Sequence, residues 1–242
     1  MLSDIHANLE ALTAVLSDAS REGAQTVLCL GDVVGYGADP VPCVEALGER
    51  AAAIVAGNHE HGAIGRLDLR WFNPYARAAA VWTGARLSED HRRYLERLPL
   101  TTVVDDSTLV HASPRNPDEW DYLMSPDDGF AVFGDFDTRL CFVGHSHRPG
   151  LWSLGSSGPE YVGRLPGGEA SIRLEDGRRY IVNVGSVGQP RDRDPRAAYT
   201  LWDREARTVT IRRVAYDHRT AAEKILAAGL PRLLADRLAD GV

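Results

Sequence analysis

Lysine is almost missing from this chain: Lys224 stands alone, and the other basic residues are arginine. Cysteine is also scarce, with only Cys29, Cys43 and Cys141. They are odd in number, widely spaced and without a C-x-x-C pair, which excludes a disulfide framework and a thiolate zinc site and suits buried, reduced thiols. No run of about 18 apolar residues exists, so no membrane-spanning helix is expected. The opening MLSDIHANLE has neither a basic start nor an apolar stretch and does not resemble a signal peptide, so the expected location is cytoplasmic. Positive charge is in deficit: the formal net charge is -7. That disfavours long nucleic acids, whose backbone needs basic surface, but it permits a small anionic substrate held by metals. Low-complexity tracts, internal repeats and long linkers are lacking too, so the 242 residues are expected to form a single domain.

What is present divides into two textures. The first half alternates helix-like and strand-like segments. Residues 8–20 place Leu9, Leu12, Val15 and Leu16 on one helical face. TVLCL (26–30) and 52–55 read as buried strands, 40–47 as a short helix, and 74–98 as one or two helices. From Leu100 onward short β-rich runs follow one another (TTVVDD, STLVHA, RLCFVGHS, ASIRLE, RRYIVNVGS, AAYTLWD, TVTIRRVAY), separated by turn residues. One amphipathic helix, about 220–239, is expected to finish the chain. Together these predict a layered α/β fold with two sheets, the second half mainly antiparallel. Residues 112–130 form the longest irregular stretch, and such loops are often functional.

Five polar signatures stand at strand ends: Asp4-Ile5-His6, Gly31-Asp32, Gly57-Asn58-His59-Glu60, His111 after STLV, and Gly144-His145-Ser146-His147 after LCFV. In four of them an apolar strand runs straight into the polar residue, the place where open α/β sheets build their sites. Each piece alone is weak, because a lone D-x-H or H-x-H is more often a cap or a satisfied histidine. Jointly they gather five of the eight histidines, two aspartates and an asparagine in one type of position. Imidazole suits Zn, Fe and Mn while carboxylate and amide oxygens suit harder ions, so this mixed set points to a centre for divalent metals. On an extended chain, the outer residues of D-x-H and H-x-H would face the same way and grip adjacent ions.

The order D-x-H, G-D, G-N-H-E, H, G-H-x-H resembles the calcineurin-like metallophosphoesterase superfamily, over Asp4 to His147. The later NVGSVGQPRDRDPRAAY is similar to its small bacterial and archaeal phosphodiesterase branch. The resemblance implies a four-layer α/β/β/α fold of two packed mixed sheets flanked by helices. It implies two divalent ions (Mn, Fe, Zn or Ni), with Asp4, His6 and His147 on one, Asn58, His111 and His145 on the other, and Asp32 bridging. It implies attack on a phosphodiester or phosphomonoester by a metal-bridging hydroxide, with His59 binding the phosphate and acting as general acid. Two departures stand out. Only Met1 and Leu2 precede Ser3, where the family has a full strand. Gly35 and Tyr36 replace the Asp-Arg of the protein phosphatases' G-D-x-x-D-R-G, which argues against that role.

Among other residues, Tyr36 and Arg115 are candidate substrate contacts, since each follows a ligand motif and arginine can clamp a phosphate. Trp120 and Tyr122 could stack on a substrate ring or pack the loop down. Glu60 is expected to be a local hydrogen-bond partner pointing away from His59, and NVGSVGQP a tight turn under the metal site. His61, His91 and His218 have no place in the pattern. Alternative readings are a dinucleoside polyphosphate hydrolase and a catalytically idle metal-binding scaffold. The expected partner is a small phosphate ester, with no long nucleic acid and no membrane; oligomeric state is open.

Overall fold

The computed structural model describes residues 1–162 and 170–242. Helix α1 (Leu9–Arg21) is capped by the Asn8 side chain, which accepts from Ala11 N–H. Strand β1 (Val27–Cys29), helix α2 (Pro40–Arg50) and strand β2 (Ala51–Ile54) follow, and β1 and β2 pair in parallel. Leu2 bridges in parallel to Cys29 and exchanges backbone bonds with Leu28 and Leu30, so residues 1–2 do the work of the missing first strand. Helices α3 (Asn58–Ile64), α4 (Pro74–Gly84) and α5 (Glu89–Glu96) complete the first half.

The second half builds a six-stranded sheet in the order β3-β4-β5-β9-β6-β7. Its members are β3 (Thr101–Val104), β4 (Ser107–Val110), β5 (Leu140–Val143), β6 (Gly150–Gly155), β7 (Gly158–Val162) and β9 (Arg179–Asn183). Within this sheet β4, β5 and β9 run parallel while the flanking pairs are antiparallel, so the second half as a whole is mainly antiparallel, as expected. A long connection carrying α6 (Pro126–Ala131), which closes the irregular stretch, gives the crossover that parallel pairing requires. Strands β10 (Ala197–Asp203), β11 (Thr208–Val214) and β8 (Ala170–Arg173) make a three-stranded antiparallel sheet. The terminal helix is two helices, α7 (His218–Ala227) and α8 (Arg232–Asp240). Gly229 at φ 71° and Pro231 break it between them.

Side-chain alternation along β5 explains the layering. Leu140 and Phe142 enter a core shared with Leu28, Leu30 and Val55, between the sheets. Cys141 and Val143 face the other way, into a cluster with Trp152, Phe133 and Phe136 beside α6. On the far side, Leu12 and Val15 of α1 and Val44 and Leu47 of α2 pack with Tyr199 of β10. The β1–β2 pair and the three-stranded sheet share one layer, joined where Thr200 N–H donates to the Met1 carbonyl. Helices, that layer, the six-stranded sheet and helices are thus stacked in turn, and all three cysteines are buried and free.

Candidate metal centre

Five loops meet at the C-terminal ends of the parallel strands. The residues expected on extended backbone are not extended: φ is 53° at Asp4, 48° at His6, 50° at Asp32, 62° at His145 and 59° at His147. Left-handed backbone costs a non-glycine residue about 1–2 kcal/mol, so the surrounding structure must impose it. It does so by lacing loops together. Asp4, His6 and Ala7 N–H donate to the carbonyls of Gly31, Asp32 and Val33 at 3.0, 2.9 and 2.9 Å. The Asp4 carbonyl accepts from Ser186 Oγ (2.8 Å) and from Gly188 N–H (2.9 Å). These kinks, rather than strand alternation, aim the side chains.

Glu60 fastens the same region. Its carboxylate accepts the N–H groups of Asp32, Val33, Val34 and Gly57 at 2.8, 2.7, 3.2 and 2.7 Å. It turns from His59 because the backbone there is the first turn of α3, not because the chain is extended. Burial, then the charge of Asp32, pushes its pKa up to about 7 despite those donors.

Three groups of ligand-type atoms lie within 4.8 Å of one another: Asp4–His6–His147, His6–Asp32–His59 and Asp32–His111–His145. All these residues are buried. Asp32 Oδ2 stands 3.2 Å from His111 Nε2 and 3.7 Å from His6 Nε2, so one carboxylate serves both halves. Asn58 Oδ1 and Asp4 Oδ1 are buried acceptors without a hydrogen-bond partner.

Backbone carbonyls fix the ring tautomers. The Nδ1–H groups of His6, His111 and His147 donate to the carbonyls of Val34 (3.1 Å), Leu30 (2.7 Å) and Gln189 (2.5 Å). A carbonyl only accepts, so in a neutral ring Nε2 is left as a lone pair. Yet His6 Nε2 and His147 Nε2 face each other at 3.1 Å, and His111 Nε2 faces His145 Nδ1 at 3.1 Å. Burial holds His6 and His147 below the usual imidazole pKa and takes His145 down to about 3. His111 goes up to about 9: burial opposes its charge, but Asp32, Asp4 and Glu60 outweigh that. Lone pairs converging in a dry pocket with orphaned oxygens fit divalent cations, which would displace the proton on His111.

The same shifts set the acid stability of the metal-free protein. His6, His59, His145 and His147 have lowered folded-state pKa values, so their contribution is present above the unfolded value of 6.5 and is lost as pH falls toward the folded values, about 4 and 3 for His59 and His145. His111 and Glu60 oppose this, but four groups outnumber two, and the unfolded chain binds more protons in that range. The Tm of metal-stripped protein is therefore expected to fall from about pH 7 to about pH 5, as scanning calorimetry would register. A flat or rising Tm would contradict this account.

Residues 1–206 match the sequence model of the Calcineurin-like phosphoesterase superfamily domain. The chain belongs to the calcineurin-like phosphoesterase superfamily. It is 40% identical over 244 residues to an uncharacterized protein of Methanocaldococcus jannaschii, covering 98% of this chain and 96% of that one. The crystal structure of a metallophosphoesterase from Sphaerobacter thermophilus is similar at TM-score 0.86 and 43% identity, over 100% of this chain and 97% of that chain. A hypothetical protein from Pyrococcus horikoshii OT3 shares the fold at TM-score 0.78 and 23% identity, over 100% and 97% of the two chains. Membership brings the reaction class, hydrolysis of phosphate esters, and with it the binding of divalent metals.

In this phosphoesterase His59 lines the pocket beside the ligands. Its ring packs against His6 (4.8 Å), Tyr36 (4.5 Å) and Phe72 (4.9 Å), and its buried Nδ1 has no partner. Gly35, at φ 90°, explains the departure from the phosphatase motif: a Cβ there would overlap the His59 ring. Tyr36 is buried, 4.6 Å from the His6 ring. Arg115 is engaged elsewhere. Its guanidinium is held by Asp135 (3.0 Å from Nε) and by the Ala131 carbonyl, which anchors the loop to α6. The arginine that does reach the centre is Arg191, missed because it sits in an arginine-rich stretch with no ligand motif beside it. Its charge acts on His59 and His147, its guanidinium lies 5.5 Å from the Tyr36 ring, and its buried Nε is unpartnered.

The long loop contributes as well. Tyr122 stacks on His145 at 4.0 Å while remaining half exposed. Trp120 packs edge-on to His61 (5.3 Å) and His111 (6.1 Å), pinning the loop down. His91 pairs with Glu45 on the helical side and His218 opens α7, both elsewhere.

Proposed function

We propose that this protein hydrolyses a small phosphodiester at a centre of two divalent cations. Asp4, His6 and His147 would hold one and Asn58, His111 and His145 the other, with Asp32 available to both. The facing nitrogens of His6 and His147 carry this reading: each ring commits its Nδ1–H to a carbonyl, so in the neutral rings two Nε2 lone pairs meet at 3.1 Å, an arrangement a bound cation would satisfy. Mn, Fe, Zn and Ni all suit the mixed nitrogen and oxygen donors. When bound, such ions polarise the phosphoryl oxygens and make hydroxide available near neutral pH.

The chain's own groups do the rest. His59 has a pKa of about 4 in the metal-free pocket, where burial outweighs the charge of Asp32. An arriving phosphate adds negative charge beside the ring and favours its protonated form. His59 then donates its proton to the departing oxygen as the P–O ester bond breaks and one water is consumed. Arg191 offers a fork to the phosphoryl oxygens, and Tyr36 keeps His59 in place.

Metal-stripped protein refilled with Mn, Fe, Ni, Zn or Mg tests this on bis-p-nitrophenyl phosphate and p-nitrophenyl phosphate. Turnover that requires metal and favours the diester is the expected result. Bound ions without turnover of either ester would overturn it in favour of an idle scaffold.

A further inference from the structure

One large cleft adjoins the centre, and of its lining the hydrolytic scheme uses only Arg191. It holds about 510 Å³, within the ordinary size for small-molecule sites. Ser146, between the ligands His145 and His147, lies on its wall, and Arg191 borders both the cleft and His59. Part of its lining is apolar, from Leu123, Met124 and Tyr161, with Tyr161 packed 5.0 Å from the buried Trp152 ring. Arg148, Arg191 and Arg193 line it as well.

The cleft lining also includes Asp192, which pairs with Arg213. Arg148 Nε donates to the Arg191 carbonyl (2.9 Å) and Arg191 Nη2 to Gln189 Oε1 (2.8 Å), which orients both guanidiniums without cancelling their charge. The side chains of Arg148 and Arg193 are exposed at the rim. In a chain of net charge -7, three arginines converging beside a phosphate-cleaving centre are a local inversion of sign.

We infer that this cleft receives an ester substituent that carries a second phosphate, with a flat ring body against Leu123, Met124 and Tyr161 and the phosphate between Arg148 and Arg193. The inference rests on the proposed hydrolysis and names its substrate class: phosphodiesters of phosphorylated, nucleoside-like groups. Arginine forks bind phosphate bidentately, and aromatic walls accept ring systems without sequence-like selectivity.

The test compares adenosine 3',5'-bisphosphate with adenosine 5'-monophosphate as inhibitors of bis-p-nitrophenyl phosphate hydrolysis, and as ligands of the metal-loaded full chain by calorimetry. Wild-type protein is expected to prefer the bisphosphate by at least about tenfold, and the Arg148→Ala/Arg193→Ala variant to lose that preference. Both positions are exposed, so folding should survive, and circular dichroism checks it. Equal affinity of the wild type for the two probes would overturn the inference, as would a preference that persists in the variant. Calorimetry needs no turnover, so absent hydrolysis with an intact bisphosphate preference would sink the proposed reaction and leave the cleft's selectivity standing.

Discussion

His59→Ala is expected to lower kcat by about 10²–10⁴-fold while the protein keeps its full complement of cations. The geometry separates the two effects. The His59 contribution to the ligand framework is its backbone N–H, which donates to Asp32 Oδ1 at 2.9 Å, and alanine retains that bond. Its ring Nδ1 is unpartnered and lies among Tyr36 and Phe72. A group that protonates the leaving oxygen matters most when that oxygen is a poor leaving group, so the loss should be larger for an alkyl ester than for a nitrophenyl ester. Steady-state kinetics on both esters, with metal analysis of the same samples, would decide. His59 also falls within ligand distance of His6 and Asp32, so metal lost in step with activity would make it a ligand instead.

Asp32→Ala should be more damaging and in a different way. Its carboxylate approaches His111 and His6 at 3.2 and 3.7 Å, closer to His111 than Asp4 comes at 3.9 Å, and it also braces the His59 backbone. Without it each half of the centre loses an anionic donor, and kcat/KM should fall by at least about 10³-fold, the scale of several kcal/mol of charge stabilisation. The clearest readout is thermal. Cations that bind only the folded chain raise its Tm, and the more so the further their concentration exceeds the dissociation constant. Wild-type protein should show that rise on adding Mn or Zn, and the variant should show little or none. A variant whose Tm still climbs with metal as the wild type's does would rule out the shared role of Asp32.

Much of the centre was legible because its residues are conspicuous. Histidine is uncommon, and His111 follows the strand STLV while His145 and His147 follow the apolar strand LCFV, so they stand out without knowledge of the fold. Arginine is the opposite case. With charge of that kind all along the chain, neither Arg115 nor Arg191 announces itself, and adjacency to His111 in sequence misled because Asp135 captures the Arg115 side chain. Strands β6 and β7 escaped notice because GLWSLG and GPEYV carry glycine and proline, which read as turns; pairing of β6 with β9, and of β7 with β6, overrides that preference. The left-handed ligand residues were invisible in principle, since their conformation comes from hydrogen bonds to loops far away in sequence. The split between α7 and α8 was available in the Gly229-Leu230-Pro231 stretch.

That lacing also has a consequence in time. Asp4 is tied to His145 N–H across 141 residues and to Ser186 Oγ across 182, while the His147 ring is oriented by the Gln189 carbonyl. During synthesis the first ligand to leave the ribosome must therefore wait until residue 189 has emerged before its surroundings exist. The growing chain carries scattered histidines but no cage, and it has no means to favour one ion over another until most of its length is made. Ion choice is thus exercised by the folded protein against whatever its compartment offers, and a prematurely ended chain would hold neither the selectivity nor the chemistry.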